Sequence, residues 1–386
     1  MKKSLLSLAV IGALASTLSA TDIRTSGFIN VVGGVNDMPD GQKDMINGYD
    51  DQYDFQTDSL AAIQFSANIA DNMGATIQLI AQKSDANDDI RMEWGYVSYD
   101  VNDEIRVLAG RVRPSLFLYS NYLDVGFAYT WITPPSELYY QAQITNLDGA
   151  NFSYNLELDD ATVSVNIYGG NSTDKKINPS DGSVLDFEYD SIAGAEIAYS
   201  NDIMKLRAGY TRATVTNTNS SVPAGTEAYL AFDDSSAAFY GVGLSIDWEN
   251  IIFATEYSVR DMDETVAPDV QSYYAMLGYK IGKFTPNYTY AVADSDMEFE
   301  NVAGTTTLPD GSVVPIASVV NGARAGNLDD RATHTFGLRY DLNSAAALKV
   351  EYSMSTITHS SFNGTPSLVE VDEDVNTARI ALNVVF

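Results

Sequence analysis

Segments of about ten residues in which every second side chain is apolar recur along this chain, and they are joined by connections that alternate between short and long. Ala61, Ile63, Phe65, Ala67 and Ile69 alternate with Ala62, Gln64, Ser66 and Asn68; Ala161, Val163, Val165 and Ile167 alternate with Thr162, Ser164 and Asn166. Successive strand side chains point to opposite faces, so each segment carries one apolar and one polar face. Seven short connections, near residues 70–74, 100–103, 159–160, 200–202, 248–250, 282 and 343–344, are rich in the Asn, Asp and Gly that tight turns demand. Eight long ones span residues 36–59, 83–90, 114–147, 169–190, 213–236, 261–269, 293–330 and 358–375. Fifteen connections join sixteen strands. A soluble sandwich also alternates, with its apolar face inward, but it has no reason to place every long connection at one end. The pattern predicts an all-β fold, a transmembrane antiparallel β-barrel of 16 strands.

Both ends of the chain agree. Ala378, Ile380, Leu382, Val384 and Phe386 share one face of a last strand, opposite Thr377, Arg379, Ala381, Asn383 and Val385. Terminal segments fray unless paired, and hydrocarbon offers no partner to a free strand edge. The last strand is therefore expected to close against the first, around residues 23–35. This ending resembles the C-terminal signal of Gram-negative outer-membrane barrels, which typically finishes on Phe. At the other end, Lys2 and Lys3 precede an apolar run and the small residues of 16–20, the layout of a secretory signal peptide. The expected organisation is a signal peptide over 1–20 and one barrel domain over 21–386. Tyr99, Tyr199, Tyr210, Tyr257, Tyr279, Tyr340 and Tyr352 are expected to form interfacial girdles.

Residues 114–147 differ from the other long connections. They carry Tyr119, Tyr122, Phe127, Tyr129 and Trp131, the pair Pro134-Pro135, and only two charges, Asp124 and Glu137. So apolar a loop is unsuited to open water, and it is expected to fold into the barrel and pack on the wall. Its place after strand five, with the following strand from Asp148 to Asn155, resembles the general-diffusion porins, whose third external loop forms an inward constriction. Their Pro-Glu-Phe-Gly-Gly motif is replaced here by Trp131-Ile132-Thr133-Pro134-Pro135. The resemblance implies acidic groups on the loop facing a basic ladder on the wall. Carried onto this chain, the constriction would use Asp124, Glu137, Tyr122, Tyr129 and Trp131, and the pore wall Arg24, Arg91, Arg106, Arg111 and Arg113. Alternation puts Arg111 and Arg113 on one face of strand five and Arg106 on the other. A lipid-facing Arg at mid-membrane costs roughly 2–4 kcal/mol, so buried ones should face water. The resemblance also implies a homotrimer.

Charge narrows the function. The chain has 52 Asp and Glu against 22 Lys and Arg, and acids crowd the long connections, from Asp50, Asp51, Asp54 and Asp58 to Glu370, Asp372, Glu373 and Asp374. A mouth of one sign concentrates ions of the other. The expected function is passive diffusion of small hydrophilic solutes and cations across the outer membrane of a Gram-negative bacterium, with a cation preference that salt weakens. Acidic rims could hold divalent cations weakly and bridge to lipopolysaccharide, but no cofactor is expected and no EF-hand spacing occurs. Nucleic-acid binding lacks a basic footprint, and the absence of Cys excludes disulfides and thiolate sites. Two alternatives remain. A substrate-specific channel for a sugar or small organic solute would use the loop aromatics as a stacking track. A barrel hydrolase would need a base, for which only His334 and His359 exist; no enzymatic role is expected.

Overall fold

The computed structural model describes residues 23–386 apart from 40–41, 45, 84–87, 143, 178–183, 218–221, 264, 300, 309 and 363–367. The expected signal peptide and two acids of the sixth and seventh long connections, Glu264 and Glu300, lie outside the described residues. The first half of the wall is β1 (Arg24–Asn36), β2 (Leu60–Ala70), β3 (Met73–Lys83), β4 (Asp88–Asp100), β5 (Ile105–Val112), β6 (Leu147–Glu157), β7 (Thr162–Ile177) and β8 (Val184–Ser200). The second half is β9 (Met204–Asn217), β10 (Ser235–Trp248), β11 (Ile251–Met262), β12 (Asp269–Tyr279), β13 (Phe284–Asp296), β16 (Asp329–Asn343), β17 (Ala346–Phe362) and β18 (Leu368–Val385). A small hairpin, β14 (Thr305–Thr307) with β15 (Val313–Pro315), stands apart from the wall. All sixteen wall strands pair in one closed antiparallel barrel.

Closure is made by β1 on β18, in register from Phe28 opposite Val385 to Asn36 opposite Thr377. Phe386 extends it: Gly27 N–H donates to Phe386 O (2.8 Å) and Phe386 N–H to Gly27 O (2.9 Å). The Phe386 ring lies over Gly27, where an added Cβ would come within 2.5 Å of it. Over this stretch the first and last strands satisfy each other's backbone groups and leave no edge.

The apolar face points outward. Along β12 every second residue is buried, and the alternation leaves Tyr273, Ala275, Leu277 and Tyr279 exposed while Ser272, Tyr274 and Met276 are covered. Ile197 and Leu277 are more than half exposed (54% and 57%), whereas Lys349, Glu256 and Arg207 are buried. Such inversion of the globular pattern suits lipid outside and polar groups within. Gly282, in the turn between β12 and β13, has φ 61°, the left-handed conformation a tight hairpin needs.

All seven short connections fall at one end of the barrel. Two of the expected long ones are shorter than the sequence pattern implied. β7 and β8 stay paired out to Ile177 opposite Val184, and β17 and β18 out to Phe362 opposite Leu368. Beyond the bilayer both faces meet water, so side-chain alternation fades while the backbone ladder continues, as where Thr356 and Thr358 hydroxyls donate to Asp374 and Asp372 (2.8 Å each). For the same reason His334 and His359, expected at a strand start and in a loop, lie within β16 and β17. Tyr352 stands six residues into β17 opposite Phe336, not at a strand end.

Candidate functional site

Residues 113–146 join β5 to β6 with two 3-10 turns, Ser120–Tyr122 and Gly126–Ala128, and one turn of helix, α1 (Ser136–Tyr139), started by Pro135, whose carbonyl accepts from Leu138 and Tyr139 N–H. Proline at that point presets the helical entry. The rest of this loop has no sheet ladder, so its backbone groups need other partners.

Wall charges supply them. Lys349 on β17 donates to the carbonyls of Gly126 (2.5 Å), Tyr129 (2.8 Å) and Trp131. Arg339 on β16 donates to Phe127 O (2.8 Å) and Tyr129 O (2.7 Å). Arg207 on β9 reaches Ser115 O (2.9 Å), Asn30 on β1 reaches Asp124 O (2.8 Å), and Arg113 turns back to Ser120 O (3.1 Å). Carboxylates serve the N–H groups: Glu256 on β11 accepts from Leu118 N–H and Glu351 on β17 from Ile132 N–H, each at 2.7 Å. Trp131 Nε1–H donates to Thr289 on β13 (2.8 Å), and Arg379 on β18 to the Thr133 hydroxyl (2.8 Å). One segment touches strands spread from β1 through β9 to β18 only from the inside of their ring, and the face it meets is the polar one. The glycine at 126 lets the backbone approach: a Cβ there would collide with Asn383 and Asn30.

The first long connection also turns inward. Tyr49 is fully buried against Gly34, donates its hydroxyl to Asp58 (2.9 Å), and gives its carbonyl to Asn36 (2.6 Å). Asp44 is held by both terminal nitrogens of Arg331 on β16 (2.9 Å each). Burial pushes the Asp44 carboxyl up, but Arg331 and the N–H groups of Ile46 and Asn47 outweigh it, leaving the group below the ordinary carboxylate value. The acids of this loop were expected to line an open mouth; Asp58 instead binds Arg379 (3.1 Å) as well as Tyr49.

Between the two loops and the wall lies a cavity of about 270 Å³. It is lined by Asp58, Asp124, Glu137 and Glu351 among the acids and by Arg331 and Arg379 among the bases. Arg379 is engaged by Asp58 and Glu351 (2.8 Å), Arg331 by Asp44, and Asp124 by Arg113 (2.5 Å). Glu137 accepts a hydrogen bond from the Thr333 hydroxyl and, among the described residues, has no cation within ion-pair reach. The cavity therefore keeps an uncompensated carboxylate.

The sequence-derived candidates separate. Asp124, Glu137, Tyr129 and Trp131 line this cavity, yet Trp131 is 2% exposed and packed edge-on against Tyr274 (centroids 5.5 Å), so its ring offers no stacking face. Tyr122 packs edge-on to Tyr119 at 5.6 Å and does not reach the cavity. Arg113 binds Asp124 and the buried Glu93, while Arg91 pairs with Glu93 (3.2 Å) on the same inner face. Three of the expected wall arginines do not line the cavity. Arg24 is exposed at the short-turn end, and Arg106 pairs there with Asp100 (2.5 Å). Arg111 projects outward and clasps Asp148 on β6 (2.8 and 2.7 Å). Arg111 and Arg113 part company because β5 ends at Val112, past which strand alternation no longer applies. Sequence reasoning missed Lys349, Arg339, Arg331, Glu256 and Glu351. Each sits at an every-second-residue polar position of its strand, the one signal that could have marked them. Among the described residues no three acidic or histidine side chains converge as a metal site.

No protein-family model and no curated sequence matches the chain. Solved structures do. The trimer form of OmpT, an outer membrane protein of Vibrio cholerae, superposes with a TM-score of 0.56 at 14% identity, covering 95% of this chain and 100% of that one. The anion-selective porin from Comamonas acidovorans gives 0.55 at 14%, again covering 95% and 100%. Salmonella typhi OmpF, in a complex with daunomycin, gives 0.53 at 14%, covering 95% and 98%. The fold is that of a Gram-negative outer-membrane barrel. At these identities the likeness is one of fold.

Lys349→Met keeps the stem and removes the donor that three loop carbonyls share. An unmet buried polar group costs about 1–3 kcal/mol, so amide exchange across residues 124–132 should quicken at least about fivefold in the folded barrel; unchanged exchange would show the clamp to be dispensable. For Asp44, a lowered native pKa means that its contribution is complete above about pH 4 and is lost as pH falls through the lower, native value. Current noise from the first loop is expected to stay flat down to about pH 4 and to rise only below it, whereas Asp44→Asn should be noisy at pH 7.

Proposed function

We propose that the protein is a passive outer-membrane channel for small hydrophilic solutes, with a preference for cations. The observation that carries this reading is the cavity between the first and third loops, whose paired charges leave Glu137 as a surplus anion on the path. In a confined lumen one such charge acts through little water and raises the local concentration of cations. The third loop sets the width of that path, and its seat on Lys349 and Arg339 gives the width a fixed value.

A homotrimer fits the same reading, and one of the similar solved barrels is a trimer form. The outward faces of β9–β17 are crowded with exposed aromatics, including Tyr210, Tyr240, Trp248, Tyr257, Tyr273 and Tyr288. Those of β1–β5 carry mainly Ile, Val, Ala and Gly, with Arg111 and Asp148 paired at their margin. A small-residue face bearing an ion pair suits contact with another protein better than contact with lipid tails. The hydrolase alternative gains no support from His359, whose Nε2 lies 3.1 Å from Glu373. Its neighbour Ser360 is buried, and the Ser361 hydroxyl donates to Val369 O (3.4 Å).

Planar-bilayer recording under a potassium chloride gradient tests the proposal. The wild type should give a reversal potential on the potassium side. Glu137→Gln should shift it toward zero by more than Glu298→Gln, an acid of the seventh loop that does not line the cavity. Equal shifts, or a chloride-side potential in the wild type, would refute the cation path through this cavity.

A further inference from the structure

A second cavity, of about 220 Å³, lies on the other side of the third loop. It opens between Tyr140, Gln141, Ala142 and Ile144 of that loop and the external halves of β8–β11. Its wall is apolar: Phe187 on β8, Val215 on β9, Phe239 on β10, Leu116 from the third loop and Phe232 from the fifth. The rings are already arranged as a cup, with Phe187 edge-on to Phe232 (5.6 Å, 77°).

Two arginines border that wall, the exposed Arg212 on β9 and the half-buried Arg260 on β11. Arg260 on β11 donates through its terminal nitrogens to two backbone carbonyls, Gln141 O (3.4 Å) and Pro268 O (3.0 Å). Its Nε is buried without a hydrogen-bond partner. A guanidinium has five N–H donors, so Nε–H and further hydrogens on the terminal nitrogens are uncommitted. The nearby Asp269 carboxylate accepts from Met262 N–H (2.8 Å), and among the described residues no carboxylate lies within ion-pair reach of Arg260. Arg113, Arg207, Arg331 and Arg379 are each matched to an acid, whereas Arg260, like Lys349, is left to carbonyls, and unlike Lys349 it borders a cavity. In a chain with more than twice as many acids as bases, a guanidinium left to carbonyls beside an apolar cup has donors that an anion would satisfy.

We propose that this cavity binds a small monocarboxylate with a compact apolar body, one aromatic ring or a short branched chain, its carboxylate on Arg260 and its body against Phe187, Phe232 and Phe239. The fork of a guanidinium matches a carboxylate edge to edge. The volume falls below the ~300 Å³ at which drug-sized pockets begin, which limits the occupant to a single ring or its equivalent. A strongly hydrated dianion such as phosphate would lose its water to phenyl rings that return nothing. Binding here does not depend on the channel reading, because occupancy is measured without any current.

The test is titration calorimetry of the folded, detergent-solubilised barrel with phenylacetate and with its neutral isostere phenylacetamide. Phenylacetate should bind at least tenfold more tightly than the amide. Arg260→Met should abolish that difference, and Phe232→Ala, in a loop outside the wall, should weaken phenylacetate several-fold while leaving the heat-modifiable gel shift of the barrel intact. Equal affinity for acid and amide, no binding of phenylacetate, or undiminished binding by Arg260→Met would each overturn the proposal. Should Arg260→Met not fold, the comparison of acid with amide on the wild type and on Phe232→Ala decides it alone.

Discussion

The arrangement inside the barrel depends on a backbone that has no sheet to join. Residues 113–146 cross the lumen with only one turn of helix and two 3-10 turns of their own, so their carbonyls and N–H groups would be stranded if the wall were apolar or merely polar. Cations on β9, β16 and β17 take the carbonyls, and carboxylates on β11 and β17 take the N–H groups. Each hydrogen bond to a charged partner is stronger than a neutral one. The charges in turn are spared the cost of isolation. Side chains that a porin resemblance assigns to an open electrostatic ladder are here partly consumed in holding the loop.

For the proposed channel, that use of charge has a consequence. Once Arg113, Arg207, Arg331 and Arg379 are matched and Lys349 is sealed under the loop, the bases of the lumen contribute little net field along the path. What remains is set by the few groups left over. Glu137 is an acid without a cation partner on one side of the loop, and Arg260 a base without an acid partner on the other. Two cavities separated by a single segment thus carry opposite residual charge, an asymmetry that the overall acidity of the chain hides.

What could be read in the sequence was what is local and periodic. Strand alternation, the turn residues and the exceptional composition of the third loop each lie within a few dozen residues, and the polar face of the last strand already placed Arg379 beside Thr377 and Asn383. The partners of the loop were not legible, because Lys349 meets Gly126 across 223 residues and Arg331 meets Asp44 across 287. The inward turn of the first loop was hidden by its acids, which looked like solvent-facing groups until their cations on β16 and β18 were in view. Arg111 and Arg113 show where parity fails: it holds along a strand and lapses one residue beyond Val112.

The central claim is that the third loop, pinned by wall charges, defines the ion path. It is tested most directly by the single-channel conductance of a barrel in which residues 117–140 are replaced by a short Gly-Ser linker. Removal of the loop should raise the conductance severalfold and weaken ion selectivity, because the clamp and Glu137 leave together. A loopless barrel with wild-type conductance and selectivity would contradict the account.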